Sequence, residues 1–244
     1  MEKSVQITLI IVVAVLILAA LITFLILRKE APSNTISVQG QSTIKANPDL
    51  VIVYFRAETN GSTAQEAKDK NAEIVNKATS ALTKIGIPEE KIQTENFNIY
   101  PEYDWIDGQQ KFKGYKAVHS FKVILETAQI EKTGAVIDAG VDAGALISYI
   151  NFELSTEKQN EYKAEALKLA SQDAKTKAEA IATGLNKKLG KLVSVSDMSF
   201  DYYPWPIYRA ADVGNVAEAK EAVTNIKPSE QEISARVSVV YQII

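Results

Sequence analysis

An uncharged apolar stretch over residues 5–27 is the feature that most constrains this chain of 244 residues. Its clearly polar residues are Gln6, Thr8 and Thr23. A helix of this length measures roughly 34 Å, enough to cross a hydrocarbon core of about 30 Å. A cleaved signal peptide would have a shorter apolar region of about 7 to 15 residues and a small-residue cleavage site. We therefore predict an uncleaved N-terminal transmembrane helix, with a buried core helix as the alternative.

Basic residues at both ends of this stretch leave its orientation open. Lys3 and the amino terminus precede it, and Arg28 and Lys29 follow it. Because cytoplasmic flanks carry an excess of Lys and Arg, this near balance leans only slightly toward a cytoplasmic domain. We predict an anchor and linker over residues 1–33 and one domain over residues 34–244.

The composition excludes several classes of chemistry. Without cysteine the chain has no disulfide, thiolate metal site, iron–sulfur cluster or cysteine nucleophile. Its one histidine, His119, excludes any site that needs two imidazoles. A net charge of -3 gives no electrostatic reason to expect a nucleic-acid partner. With no glycine-rich phosphate loop and no Gly-x-Ser-x-Gly elbow, we predict no catalytic residue, metal site or cofactor.

Hydrophobic periodicity divides the remaining chain into strands and helices. Residues 233–243 alternate apolar and polar side chains, which is typical of a sheet with one buried face. Apolar residues at spacings of three and four predict a helix over residues 63–85, ended by Gly86. In total, we predict strands over residues 35–45, 50–58, 92–105, 112–125, 147–154, 191–200 and 233–243, and helices over residues 63–85, 130–143 and 157–185.

The order of these elements repeats in the second half of the chain. The segment FNIYP, residues 97–101, returns as FDYYP, residues 200–204, each after a helix and a strand. We predict an α+β domain of two strand-helix-strand-strand repeats, with helices packed on antiparallel sheet around one core. On the last helix, the predicted buried stripe is Leu167, Ala170, Ala174, Ala178, Ile181 and Leu185.

A series of short motifs carries a family resemblance over about residues 35–244. In order, they are Ile36-Ser37-Val38-Gln39-Gly40, Pro48-Asp49, Ile85-Gly86-Ile87, Gln93-Thr94, Tyr100-Pro101, Gly114-Tyr115, Glu165-Ala166, Asp173-Ala174 and Leu189-Gly190. Their order and spacing resemble the landmarks of the SIMPL domain family, once called a domain of unknown function. The chain departs from the family pattern at Gln41-Ser42 and at Asn186. The resemblance implies an extracytoplasmic, envelope-associated protein, linked in some bacterial members to oxidative-stress tolerance, and it transfers no catalytic residue.

Aromatic residues are distributed unevenly and form the candidate interaction surface. We expect either a binding platform for a protein, a glycan or a membrane interface, or two long loops packed onto the sheet by these rings. The aromatic residues form one set in the first repeat and one in the second, and each set begins at the repeated segment. The candidates are Tyr100, Tyr103, Trp105, Tyr202, Tyr203, Trp205 and Tyr208.

The leading hypothesis is a membrane-anchored, non-enzymatic extracytoplasmic protein that acts by protein or ligand contacts, in envelope or oxidative-stress defence. One alternative is an envelope hydrolase with an unidentified site; another is a structural unit that assembles with its own copies. His119 is predicted on the apolar face of its strand, which indicates a structural role. A pocket that gathers two carboxylates, or His119 with a serine, would favour the hydrolase.

Overall fold

The computed structural model describes residues 17–18, 34–204, 206–209 and 229–244. Ile17 and Leu18 are helical, and the rest of the predicted anchor and linker lies outside the described residues. Within the described ranges, none of the helices has both the length and the hydropathy needed to cross a bilayer. The transmembrane helix over residues 5–27 therefore stays a prediction.

Helices and strands alternate along the chain much as their periodicity predicts. The α+β class and the antiparallel pairing are confirmed, while β7 was not predicted. The described elements are β1 (Thr35–Ala46), β2 (Leu50–Gly61), α1 (Ala64–Lys84), β3 (Ile92–Ile106), β4 (Gln109–Glu126), α2 (Thr133–Asp142), β5 (Leu146–Glu153), α3 (Thr156–Gly184), β6 (Leu189–Asp201), β7 (Pro206–Arg209) and β8 (Gln231–Ile243).

Five strands form an antiparallel sheet in the order β3-β4-β2-β5-β7. Alternate residues of its central strand, Val51, Val53 and Phe55, are buried with apolar residues of α1 and α2. Phe55 stacks on Phe121 of β4 with ring centroids 5.3 Å apart. The two helices thus cover one face of this sheet, because residues two apart on a strand share a face.

A second sheet has three strands in the order β1-β8-β6. The two sequence repeats pair their strands differently. The first repeat, β2-α1-β3-β4, keeps all its strands in the five-stranded sheet, whereas the second gives β5 to that sheet and β6 and β8 to the other. Strand order within a repeat is set locally, but the choice of partner strand is made by distant parts of the chain.

The chain divides into two compact units, and the boundary crosses β1, β6 and β8. The described part of one unit is residues 34–40, 171–197 and 237–244. The described part of the other is residues 41–170, 198–204, 206–209 and 229–236, and it contains the whole five-stranded sheet. A single domain over residues 34–244 stays a prediction.

Helix α3 is buried along a stripe of alanines rather than along the mixed stripe predicted from its sequence. Ile181 and Leu185 of the predicted stripe are exposed. Small side chains let a helix lie close to its neighbours. In each unit, one polar side chain also forms a hydrogen bond between α3 and β1. Ser42 Oγ donates to Ala166 O at 2.7 Å, and Lys177 Nζ donates to Gln39 O at 3.2 Å. The buried alanines are Ala166, Ala170, Ala174, Ala178 and Ala182.

The N-terminus of α1 is closed by a reciprocal set of hydrogen bonds. Thr63 Oγ1 accepts from the Glu66 backbone N–H at 3.1 Å, and Glu66 Oε2 accepts from the Ser62 backbone N–H at 2.8 Å. Glu66 also pairs with Lys70 at 2.8 Å. The hydrogen bond from Lys70, with those from Ser62, lowers the pKa of Glu66 from 4.5 to about 2. The arrangement is a variant of the capping box in which Glu66 reaches the N–H of the residue before the N-cap, and it fixes where the helix begins.

We expect this cap to lose its stabilising effect in acid. The folded pKa of Glu66 lies below its unfolded value of 4.5, so its contribution is fully present above pH 4.5 and disappears as pH falls through 2. The melting temperature of the native chain should exceed that of Glu66→Gln most clearly at pH 6, and the two should converge toward pH 2. Glu73→Gln removes the ion pair with Lys77 without touching the cap and should give a smaller difference. A constant difference across this pH range would contradict the assignment.

Candidate functional site

A two-stranded ribbon extends beyond the five-stranded sheet. Strand β4 pairs with β2 only as far as the Gly61–Tyr115 pair, while its pairing with β3 continues to Ile106 and Gln109. Among the described strands, β3 is therefore the only neighbour of the first residues of β4. We call residues 102–113 the ribbon. Asp107 and Gly108, with φ of 54° and 75°, form the two-residue turn at its tip, and Asp-Gly is a dipeptide that favours such turns.

A β-bulge marks the point where the ribbon leaves the sheet. Glu102 pairs with Gly114 and Tyr103 with Phe112, so Lys113 is an extra residue on β4. Gly114 has φ of 139°, and a Cβ on it would lie 2.6 Å from Gly61 O. Only glycine suits both the backbone conformation and this close approach. The extra residue reverses the alternation of β4, so that Phe112 and Tyr115 lie on the same side with ring centroids 5.4 Å apart.

One face of the ribbon is aromatic. Tyr103 is directly opposite Phe112, and Trp105 is directly opposite Gln110, so these four side chains share a face. The Tyr103 and Phe112 rings meet edge to face, with centroids 5.7 Å apart. Tyr103, Phe112 and Trp105 are 45%, 54% and 74% exposed, respectively. We call Tyr103, Trp105 and Phe112 the aromatic face.

The opposite face of the ribbon is mainly charged. Lys113 Nζ lies 3.5 Å from Asp104 Oδ1 and 3.8 Å from Glu102 Oε1. Lys111 is directly opposite Asp104, and Ile106 supplies an exposed apolar side chain at the tip. The ribbon thus has one aromatic face and one mainly charged face, and both faces are exposed.

The remaining candidate aromatics do not join this face. Tyr100 is exposed, but it pairs with Lys116 before the bulge and points to the other side of the sheet from Phe97 and Pro101. Tyr202 is half-buried and its Oη accepts from the Leu154 N–H at 2.8 Å; burial raises its pKa to about 12. Tyr203 is exposed. Trp205 and the side chain of Tyr208 lie outside the described residues.

Tyr202 and the ribbon lie at opposite ends of the five-stranded sheet. Leu154 follows Glu153, which pairs with Leu50 at the start of β2, whereas the ribbon departs from Gly61 at its end. At about 3.3 Å per residue, these ends are about 36 Å apart. Tyr202 therefore packs a loop against the sheet, as the alternative interpretation of the aromatics predicts for it, while Trp105 lies on the projecting ribbon.

His119 lies on the helix-covered side of β4, among aromatic rings. Its Nε2 is 2.8 Å from Thr94 Oγ1, and its ring meets Phe97 edge to face at 5.4 Å. Burial lowers the pKa of His119 below its ordinary 6.5, which favours the neutral ring at pH 7. Among the described residues, no carboxylate forms an ion pair with this imidazole, so the Thr94 hydroxyl has a base beside it but not the third member of a triad.

No candidate metal site is found among the residues that the structure describes. There, no three His, Cys, Asp or Glu side chains are grouped closely enough to hold a metal ion. Glu153 is occupied instead by neutral donors: Tyr54 Oη and Asn151 Nδ2 each donate to its Oε1 at 2.9 Å. The Tyr54 ring stacks on Tyr149 at 4.1 Å, and burial raises the pKa of its phenol. This cluster joins β5 to β2.

Sequence reasoning missed Phe112 and the Tyr54–Tyr149 stack. Phe112 is at the start of a predicted strand but not among the candidate aromatics, although a two-residue turn at Asp107-Gly108 pairs it directly with Tyr103. That turn was the available signal for Phe112, and Gly114 was the signal for the bulge, since an isolated glycine in a strand pattern suggests one. Tyr54 and Tyr149 have no such signal, because their contact depends on the pairing of β2 with β5.

Comparison with known proteins identifies relatives over most of the chain. The family model described as "SIMPL: Protein of unknown function (DUF541)" matches residues 36–241. The 26 kDa periplasmic immunogenic protein of Brucella melitensis is 30% identical over 217 residues, covering 85% of this chain and 84% of that protein. The uncharacterized protein YggE of Escherichia coli K12 is 30% identical over 174 residues, covering 71% of this chain and 70% of YggE.

Proposed function

Because the chain belongs to the SIMPL (DUF541) family, we propose that it is an extracytoplasmic protein without catalytic activity, held to a membrane by residues 5–27, which acts through contacts of its aromatic face. The Brucella relative is named as periplasmic, which supports a location outside the cytoplasm. A part in envelope or oxidative-stress defence is a prediction from the family resemblance alone.

The single observation that carries this proposal is the exposed aromatic face of the projecting ribbon. Large aromatic side chains dominate the energetics of protein interfaces, and their clustering on one exposed face marks an interaction site. Trp105 gains most from being covered, since it is the most exposed of the three. The charged opposite face leaves the ribbon with one side suited to contact and one suited to water.

The occupant we propose for the aromatic face is the aromatic face of a second copy. A two-stranded hairpin is marginally stable alone in water, so an amphipathic ribbon gains stability when its apolar face is covered. Two such faces related by a two-fold axis would bury identical patches against each other. Among the described strands, β3 has a partner on one side only, which is an edge that a second copy could pair with, and a shared membrane anchor would raise the local concentration of copies.

Loss of the aromatic face should therefore lower the oligomeric state. We expect the full chain in detergent to form oligomers in light scattering, and Trp105→Ser with Phe112→Ser to shift it toward monomer by at least tenfold in dissociation constant, because hot-spot aromatics contribute 2 kcal/mol or more. The matched control is Ile106→Ser, an exposed apolar residue on the opposite face of the tip. A chain that is monomeric at every concentration, or a double variant that associates as the native chain does, would overturn the proposal.

Location is tested separately with a protease. If residues 34–244 lie outside the cytoplasm, protease added to cells with a permeabilised outer layer should degrade the domain while the inner membrane stays intact. A cytoplasmic protein serves as the control and should survive. Degradation that begins only after the inner membrane is broken would place the domain in the cytoplasm and reverse the proposed orientation.

A further inference from the structure

A small polar cavity lies between β1 and β8, in the unit that also contains the five-stranded sheet. Its volume is about 260 Å³, less than the 300 to 1,000 Å³ of typical drug-sized sites. The lining residues carry hydroxyl, amide and guanidinium groups with little apolar surface. They are Gln41, Ser42, Thr43, Ser234, Ala235 and Arg236.

Two side-chain contacts fix how the lining residues face one another. Thr43 Oγ1 lies 3.3 Å from Ser234 Oγ, and Lys45 Nζ lies 2.8 Å from Glu230 Oε2. Residue numbers fall from Ser234 on β8 to Glu230, just before that strand, as they rise from Thr43 to Lys45 on β1, so the strands are antiparallel here. Arg236 therefore lies opposite Gln41, on the same face as Thr43 and Ser234.

The lining residues carry several hydrogen-bond donors, and Glu232 adds a carboxylate on the same face of β8, where it acts electrostatically on Lys45. In the Thr43–Ser234 pair one hydroxyl donates to the other, which leaves the second hydroxyl hydrogen to be directed elsewhere. The guanidinium of Arg236 carries five N–H donors in a planar fork that matches an oxyanion. No carboxylate is part of the lining. Nearby, Glu230 is already neutralised by Lys45.

Arg236 has an ion partner that it can release. Its Nη1 lies 3.4 Å from Asp201 Oδ2, a long contact between side chains that are 51% and 37% exposed. Exposed pairs of this kind contribute little free energy, because water competes for both ions. An incoming anion with two oxygens would offer the guanidinium a bidentate contact in exchange for this single long one.

We propose that the cavity binds a small oxyanion, a carboxylate or a phosphate, on the guanidinium of Arg236 with support from the hydroxyls of Thr43 and Ser234, and that this anion displaces Asp201. The lining residues are not part of the aromatic face, so anion binding and self-association can be tested independently of each other. Its size admits a small molecule and excludes a folded partner.

The test uses the full chain in detergent, with sodium phosphate and sodium acetate as probes and sodium chloride at equal ionic strength as the reference. Binding to the folded state raises the melting temperature with probe concentration. We expect a rise above the chloride reference that Arg236→Gln abolishes. Arg56→Gln is the matched control, because Arg56 is also exposed and ion-paired, with Glu58 at 2.8 Å, and it should respond as the native chain does.

A variant that should strengthen anion binding makes the test specific. Asp201→Asn removes the internal competitor, so half-maximal stabilisation should need about two- to fivefold less probe. A response to one probe alone assigns the site to that anion. Equal responses in the native chain and Arg236→Gln would show a general salt effect and overturn the proposal, as would an unchanged midpoint in Asp201→Asn. Where Arg236→Gln fails to fold, Thr43→Val with Ser234→Ala should weaken the response, and a full response would overturn the site.

Discussion

Replacing Phe55 by alanine should produce the largest loss of stability, about 3 to 5 kcal/mol of unfolding free energy. Phe55 is buried at the centre of β2, where its ring stacks on Phe121 and packs beneath α2. Removing the ring forfeits its transfer free energy and leaves a cavity between sheet and helix. For a domain of this size the melting temperature should fall by about 6 to 20 °C.

A matched substitution on the ribbon separates burial from residue type. Phe112→Ala removes the same atoms from a residue that is half exposed, so denaturant titration in detergent, at a chain concentration where the chain is monomeric, should give a loss of about 1 kcal/mol or less. If Phe55→Ala cost no more than Phe112→Ala, the packing of α2 on this sheet would be wrong.

The elements of this fold could be predicted because their signals are local. Apolar spacing and Gly86 place the first helix over residues 63–85, and the structure has it at Ala64–Lys84 with Thr63 as the N-cap. The Asp107-Gly108 turn is also encoded in two adjacent residues. Each of these signals acts within a few residues, so a single sequence is sufficient to find it.

The division into two sheets could not be predicted in the same way. Both repeats have strand-helix-strand-strand order, and nothing within β5 distinguishes a strand that pairs with β2 from one that joins β8. Pairing is decided by side chains far apart in sequence, such as Tyr54 and Tyr149. The buried stripe of α3 shows the same limit: Ile181 has the right spacing for burial, but only the alanine side chains are enclosed.

The candidate surface was predicted in composition but not in arrangement. Tyr103 and Trp105 were identified because aromatic residues are concentrated at and after the repeated segment. The two-residue turn at Asp107-Gly108 places Phe112 opposite Tyr103 on the aromatic face, and the length of β2 separates that face from Tyr202. The bulge at Lys113 reverses the alternation of β4 and brings Phe112 to the same side as Tyr115, a relation that is visible only in the structure.

The second large effect is expected at Gly140, where an added methyl group has no room. A Cβ on Gly140 would lie 2.3 Å from Cε1 and 2.6 Å from Cζ of the Phe55 ring. The ring cannot move away, because Phe121 packs against it. Gly140→Ala should therefore cost about 1 to 3 kcal/mol of unfolding free energy, even though alanine is the better helix former.

Two further variants identify the Phe55 ring as the cause. Gly134→Ala lies in the same helix with nothing within 4 Å of its added Cβ, so it should be neutral or slightly stabilising. Phe55→Leu shortens the opposing side chain, so Gly140→Ala should cost less in that background, with a coupling energy of about 1 kcal/mol in a double-mutant cycle. Independent, additive losses at the two positions would contradict the contact, because a clash between two groups disappears when either group is made smaller.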